Sequence, residues 1–274
     1  MDVLDSLMAA AEIRSTLNME RRASTEVIQW REASSSRRPA IVFIPGFLSE
    51  RDSMSDFGCW TKQIVSFAKK QNWAAYGLYW PSMLRADIIS SVNWGNLFGE
   101  IAMAGRIRPF SSLFETSVTE LFNIKRVWQK AVQNADSLGW NSDKWLSSLH
   151  RPVILIGHSL GGRIALQAAM SNRRAELLQV SVFAPAILAS GCDFRRIQKR
   201  TQKKGAIFHS QNDTTLRYLF RAGELTAEAP LGLEGVPQNS SGWIRSVDVS
   251  RYRGRRTRHN DYAAVCMELA GDFL

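Results

Sequence analysis

The stretch "VILIGHSLGGRIALQ", residues 153–167, decides the reading of this chain. It opens on a near-continuous apolar run, bends through Gly-His-Ser-Leu-Gly-Gly, and resumes with apolar residues at helical spacing. Such a run, bounded by turn residues, fits a strand buried on both faces, and the period after it fits a helix laid on a sheet. Glycines at 157 and 161 remove side chains that would collide with the neighbouring strand and helix. Ser159 can then take a strained turn with its hydroxyl exposed, beside the amide of Leu160 at the start of the helix. A bare G-x-S-x-G arises by chance in about one chain in ten of this length, so the flanking strand and helix carry the signal.

Outward from this turn the chain alternates strands and helices. "TEVIQWREA" (25–33) alternates as a strand does, and "AIVFIPGF" (40–47) is a buried strand halted by Pro45 and Gly46. A helix over 55–71, capped by Ser55 or Asp56, leads to the strand "WAAYGLYW" (73–80), and 82–147 reads as mainly helical. Strand 152–157 and the helix from Leu160 follow, then strand 179–186, a basic helical segment and strand 205–211. A short helix from Thr214, strand 242–250 and a last helix over 261–274 complete the order. This rhythm implies an α/β fold with a mostly parallel central sheet and helices on both faces. Residues 1–24 read as a separate N-terminal helix, and 25–274 as one domain with an insertion at about 82–147.

A serine needs a base, and the base needs a carboxylate to orient it. In the chain order Ser, acid, His that goes with a strand–serine–helix turn, the base lies well beyond 159. His150 and His158 precede the serine and His209 lies inside a strand, which leaves His259, in a loop before the final helix. Between 159 and 259 the carboxylates are Glu176, Asp193, Asp213, Glu224, Glu228, Glu234 and Asp248. Asp213 alone follows directly on a buried strand, in "GAIFHSQND", and takes the acid role, with Asp193 as runner-up. Asp248 reads as a structural acceptor within a strand, and Asp261 as a cap on the last helix. The oxyanion donors expected are the amides of Leu160 and of Phe47, with Leu48 as alternative to Phe47. Leu48 and His158 are also expected to line the substrate-binding part of the site.

At 274 residues and 45% apolar content the chain can bury a sizeable core. It has no apolar run of 18 residues, and acids stand where a signal peptide carries lysines. The expected location is the cytoplasm, unless a specialised secretion system exports the protein. Cys59, Cys192 and Cys266 show neither a disulfide framework nor metal-ligand spacing and read as reduced core thiols; no metal or organic cofactor is expected. The net charge of +10 favours an anionic partner.

Strand, "PGF" loop, "GHSLGG" turn, "SQND" loop and late histidine together resemble the α/β-hydrolase superfamily of lipases and serine esterases, over residues 25–274. A narrower likeness lies in "SQNDTTLRYLFRAG", "GLEGV", "VDVS" and "HNDY", which recur in order as in the hydrolase domain of the transmembrane-and-coiled-coil-domain protein family. The chain departs from the eukaryotic members of that family in lacking transmembrane segments. The resemblance implies a Ser159–His259–Asp213 triad and hydrolysis of acyl esters as a lipase or carboxylesterase.

Two further features bear on the substrate. The segment "NWGNLFGEIAMAGRIRPFSSLF" (93–114), rich in Trp, Phe, Leu and Gly, reads either as a lid or acyl-chain pocket or as a packing helix pair. "RYRGRRTRH" sets five arginines within eight residues directly before His259, and "RRIQKRTQKK" adds six cations. A phospholipid fits both the apolar insertion and the arginines, through contact with an anionic membrane surface. Nucleic acid is the rival partner for the same charge, without a nucleic-acid-binding motif to accompany it. A non-catalytic protein that keeps the fold and binds anionic membranes or nucleic acid is the alternative from a different class.

Overall fold

The computed structural model describes residues 25–47, 58–82, 118–238, 240 and 242–274. The N-terminal helix, the capping residues at 55–56, Leu48 and the segment 93–114 lie outside them.

Seven strands form one sheet: β1 (Glu26–Arg31), β2 (Ala40–Ile44), β3 (Ala74–Tyr79), β4 (Val153–His158), β5 (Leu177–Phe183), β6 (Gly205–His209) and β7 (Ile244–Asp248). Their order is β1-β3-β2-β4-β5-β6-β7, which places β4 at the centre. Only β1 runs antiparallel, against β3 at the edge; the other pairings are parallel. The burial of the strands follows their rank in this order. The central β4, Val-Ile-Leu-Ile-Gly-His, is buried at every position, whereas the edge strands β1 and β7 are exposed or half-buried at every position except Ile244.

The helices are α1 (Gly58–Gln71), α2 (Val118–Trp140), α3 (Asp143–Leu146), α4 (Leu160–Ser171), α5 (Phe194–Arg200), α6 (Arg221–Glu224), α7 (Leu231–Glu234) and α8 (Cys266–Gly271). Helices cover both faces of the sheet. Phe43 pairs with Ile156, and Trp60 of α1 stacks on Phe43 at 4.7 Å, so α1 covers that face. The neighbouring Gly157 pairs with Val182, whose side chain points the other way, toward Gly162 of α4. The helix α4 is buried along nearly its whole length, with α2 packed outside it. The strand order reverses between β2 and β4, so the sheet has its topological switch point there, and sheets of this kind bind ligands outside the carboxyl ends of the strands at that point. This order, with a serine turn after the central strand, is the α/β-hydrolase fold.

Several boundaries differ from the sequence reading. The last helix begins at Cys266, because 261–264 winds as a tighter 3-10 turn. The short helix after Thr214 contains a wide π-turn over Leu216–Phe220 before α6. The arginine-rich run is a hairpin, β8 (Arg251–Tyr252) and β9 (Arg255–Arg256), instead of a loop. Of the three free cysteines only Cys266 is fully buried; Cys192 is half-buried and Cys59 exposed, so Cys59 is not a core thiol. Burial pushes the Cys192 and Cys266 thiols up to about 12, which leaves them unreactive as nucleophiles. Among the described residues no helix is long and apolar enough to cross a membrane.

Candidate active site

Ser159 joins β4 to α4 with φ 55° and ψ −121°, a conformation that costs a non-glycine residue about 1–3 kcal/mol. The surroundings hold it there. Its amide donates to the Phe183 carbonyl at 3.0 Å, and its carbonyl accepts from Gly162 and Ala186, each at 3.0 Å. A side chain at Gly161 would run into the carbonyl oxygens of Ile44 and Pro45, so glycine there lets the turn close onto the end of β2. A Cβ at Gly46 would stand 2.8 Å from the Ser159 Cβ. Gly46, and with it the turn after β2, therefore borders the serine, and Leu160 opens α4 directly after it. The Phe47 ring packs edge-on against Trp128 of α2 at 5.6 Å.

Asp213 follows β6 and is fully buried. Its Oδ1 accepts the Leu216 amide at 2.8 Å, and its Oδ2 lies 2.6 Å from His259 Nδ1. With both oxygens committed, the carboxylate has one orientation, and it fixes the tautomer of the ring: Nδ1 carries the proton and Nε2 is free to accept one. Two loops are stapled together around this pair. Ser210 Oγ donates to the Thr257 carbonyl at 2.6 Å, and Asn212 Nδ2 to the Ser250 carbonyl at 2.6 Å. Asp261 Oδ2 accepts the Arg258 amide at 2.7 Å, so it closes the histidine loop and does not cap α8.

His158 is buried. Its ring is buried between Trp60 at 5.2 Å and His259 at 4.7 Å, and its Nε2 lies 2.9 Å from the His259 carbonyl oxygen. Burial first, then the proximity of His259, holds its pKa down at about 3, against the smaller pull of that hydrogen bond. The ring is therefore neutral at ordinary pH, with Nε2–H donating to the carbonyl. This contact was not legible in the sequence: it joins residues 101 apart, and no local pattern marks it.

The other carboxylates weighed from the sequence lie elsewhere. Asp193 caps α5, its side chain accepting the Arg196 amide at 2.9 Å. The N-cap rule already marks an aspartate followed by a helical run. Asp248 accepts the Ser250 amide at 2.8 Å, a structural role. Glu224 joins a network behind the serine turn. Arg163 of α4 holds Asp136 of α2 through Nε at 2.6 Å and Nη2 at 2.9 Å, and Glu224 through Nη1 at 2.9 Å. A cleft bordered by Arg37, His150, Arg151 and Glu176 opens at the amino-terminal ends of β2 and β4, the opposite end of the sheet from Ser159.

The chain matches no protein-family model and no curated protein. Among solved structures it is similar to esterase B from Lactobacillus rhamnosis, with 12% identity and a TM-score of 0.38 over 98% of this chain and 93% of that one. It is similar to the poly(3-hydroxybutyrate) depolymerase LpqC from Bordetella parapertussis, with 15% identity and a TM-score of 0.40 over 90% and 83%. An esterase from Pyrococcus furiosus, Pf2001, shows 9% identity and a TM-score of 0.40 over 92% and 91%.

Proposed function

We propose that the protein is a serine ester hydrolase of the lipase or carboxylesterase type, with Ser159 as nucleophile, His259 as base and Asp213 as the orienting acid. One observation carries this reading: a buried carboxylate on His259 Nδ1 at 2.6 Å, in the loops beside a serine held at φ 55°. A structural serine has no need of that backbone strain, and a solvated histidine has no need of a buried carboxylate.

In the proposed mechanism Nε2 of His259 takes the Ser159 hydroxyl proton as Oγ bonds to the ester carbonyl carbon. Charge then moves onto the carbonyl oxygen, between the amides of Phe47 and Leu160. His259 returns the proton to the departing alkoxide, the C–O ester bond breaks, and an acyl-serine remains. Water attacks the acyl-serine with His259 again as base and releases the carboxylic acid and free Ser159. Asp213 stays ionised throughout and stabilises the imidazolium.

Hydrolysis of p-nitrophenyl esters of increasing acyl length tests this. The wild type is expected to turn them over, and Asp213→Asn to lower kcat by about 10³–10⁴ with an unchanged circular dichroism spectrum. Equal rates for wild type and Asp213→Asn would remove the aspartate from the mechanism.

A further inference from the structure

The hairpin β8–β9 stands between β7 and His259. Its loop, Arg253 and Gly254, has φ 51° and 75°, the two left-handed residues of a type I′ turn. The base of the hairpin is fixed on two sides. Tyr252 Oη and Arg253 Nη2 both donate to Glu268 of α8, and Ser250 accepts from the acid loop twice, at its carbonyl from Asn212 Nδ2 and at its Oγ from the Gln211 amide. In the ladder Arg251 pairs with Arg256 and Tyr252 with Arg255.

Residues directly opposite in an antiparallel ladder share a face, with Cβ atoms about 4.5–5.5 Å apart, and like charges there are destabilising. Arg251 and Arg256 are such a pair, both exposed, and neither has an ion-pair partner among the described residues. Two guanidinium groups set side by side on a pinned hairpin repel each other until an anion bridges them. A phosphate suits the pair, because it offers several acceptor oxygens to two planar forks.

We propose that the Arg251/Arg256 pair is a binding site for the phosphate of a phospholipid headgroup, and that it brings an anionic acyl ester to Ser159. The substrate part of this inference rests on the ester-hydrolase reading; the binding part does not. Two observations favour a headgroup over a nucleic-acid backbone. Each strand of the ladder is two residues long, too short to track a polyanion, and only Thr257 and Arg258 separate it from His259.

The test is flotation with vesicles of zwitterionic phosphatidylcholine, with and without anionic phosphatidylglycerol, on the Ser159→Ala protein so that turnover does not intervene. Binding to the anionic vesicles is expected to fall about fivefold for each arginine removed, hence about twenty-five-fold for Arg251→Gln/Arg256→Gln. The control Lys199→Gln/Arg200→Gln, on the exposed side of α5, removes the same net charge and should bind as the parent does. Thermal melting should show Arg251→Gln/Arg256→Gln no less stable than the parent, since it relieves a repulsion. Calorimetric titration with glycerol phosphate separates the two sources of the group. A response lost in the double variant assigns the site to the phosphate itself, and a response to vesicles alone assigns it to headgroups at a surface. Equal loss in both double variants, or tighter binding of a DNA duplex than of anionic vesicles, would overturn the proposal. No binding of the Ser159→Ala parent to anionic vesicles, with ester turnover by the wild type intact, removes this site alone; no turnover by the wild type, with vesicle binding present and lost in the arginine variant, removes only the catalytic reading.

Discussion

His158 and Ser159 are consecutive and both buried, so the serine hydroxyl is not exposed as the sequence suggested: the serine forms the turn after β4, and the histidine ring packs against His259. One strand end thereby holds both the proposed nucleophile and, through Nε2 and the His259 carbonyl, the backbone of the proposed base. In the proposed mechanism His158 positions His259. Replacing it by Phe should lower kcat on a p-nitrophenyl ester about tenfold with little change in KM, and Gln, which restores an N–H donor, should recover most of the loss. An equal loss for Phe and Gln would mean that packing alone matters. The same ring makes stability depend on pH. Its folded pKa of about 3 lies below the 6.5 of the unfolded chain, so the unfolded state binds the extra proton between those values. Stability is full above pH 6.5 and falls by up to about 1.4 kcal/mol per pH unit as pH drops toward 3. Urea unfolding at pH 7 and pH 4.5 should show a smaller difference for His158→Gln than for the wild type. Tyr262 offers a contrasting case: its hydroxyl is buried without a hydrogen-bond partner among the described residues, so Tyr262→Phe should leave the urea midpoint unchanged or slightly raised.

At the scale of elements, α4 carries the proposed nucleophile's turn and is tied to α2 and α6 by Arg163. Replacing Arg163 by Met removes the guanidinium between Asp136 and Glu224 and leaves them only the donors Gln167 Nε2 and Trp128 Nε1. Because both carboxylates keep some contact with solvent, the expected loss is about 2 kcal/mol, below that of a fully buried pair. The urea midpoint measures it, and no change would make the network ornamental. The serine turn was legible because glycine at 157 and 161 leaves a local mark in the sequence. The place of Asp213, the proposed acid, in the loop after β6 was legible because a continuous apolar strand runs shortly before it. The hairpin could not, because arginine carries little strand preference and a run of five reads as a solvated face. Its one local clue is Gly254, which stands where a left-handed turn needs it.

Over the whole molecule, the alternation of elements indicated a parallel sheet, but neighbouring strands are set by long-range pairing. Nothing local shows that β3 lies outside β2 while β4 lies inside it, although this reversal sets the switch point of the sheet beside the serine turn. The net charge of +10 acts at this scale too. Raising sodium chloride from about 0.05 to 0.5 M shortens the Debye length to a few ångström, so turnover at anionic vesicles should fall steeply. Turnover of a neutral, soluble ester should not change, and a parallel fall in both would show that salt acts on the fold.

The most direct measurement is the mass of the intact protein after treatment with a fluorophosphonate, followed by peptide mapping. A single adduct on Ser159, absent from Ser159→Ala and greatly slowed in Asp213→Asn, is the result expected of an activated serine. An unlabelled wild type, or an adduct on another residue, would contradict Ser159 as the nucleophile.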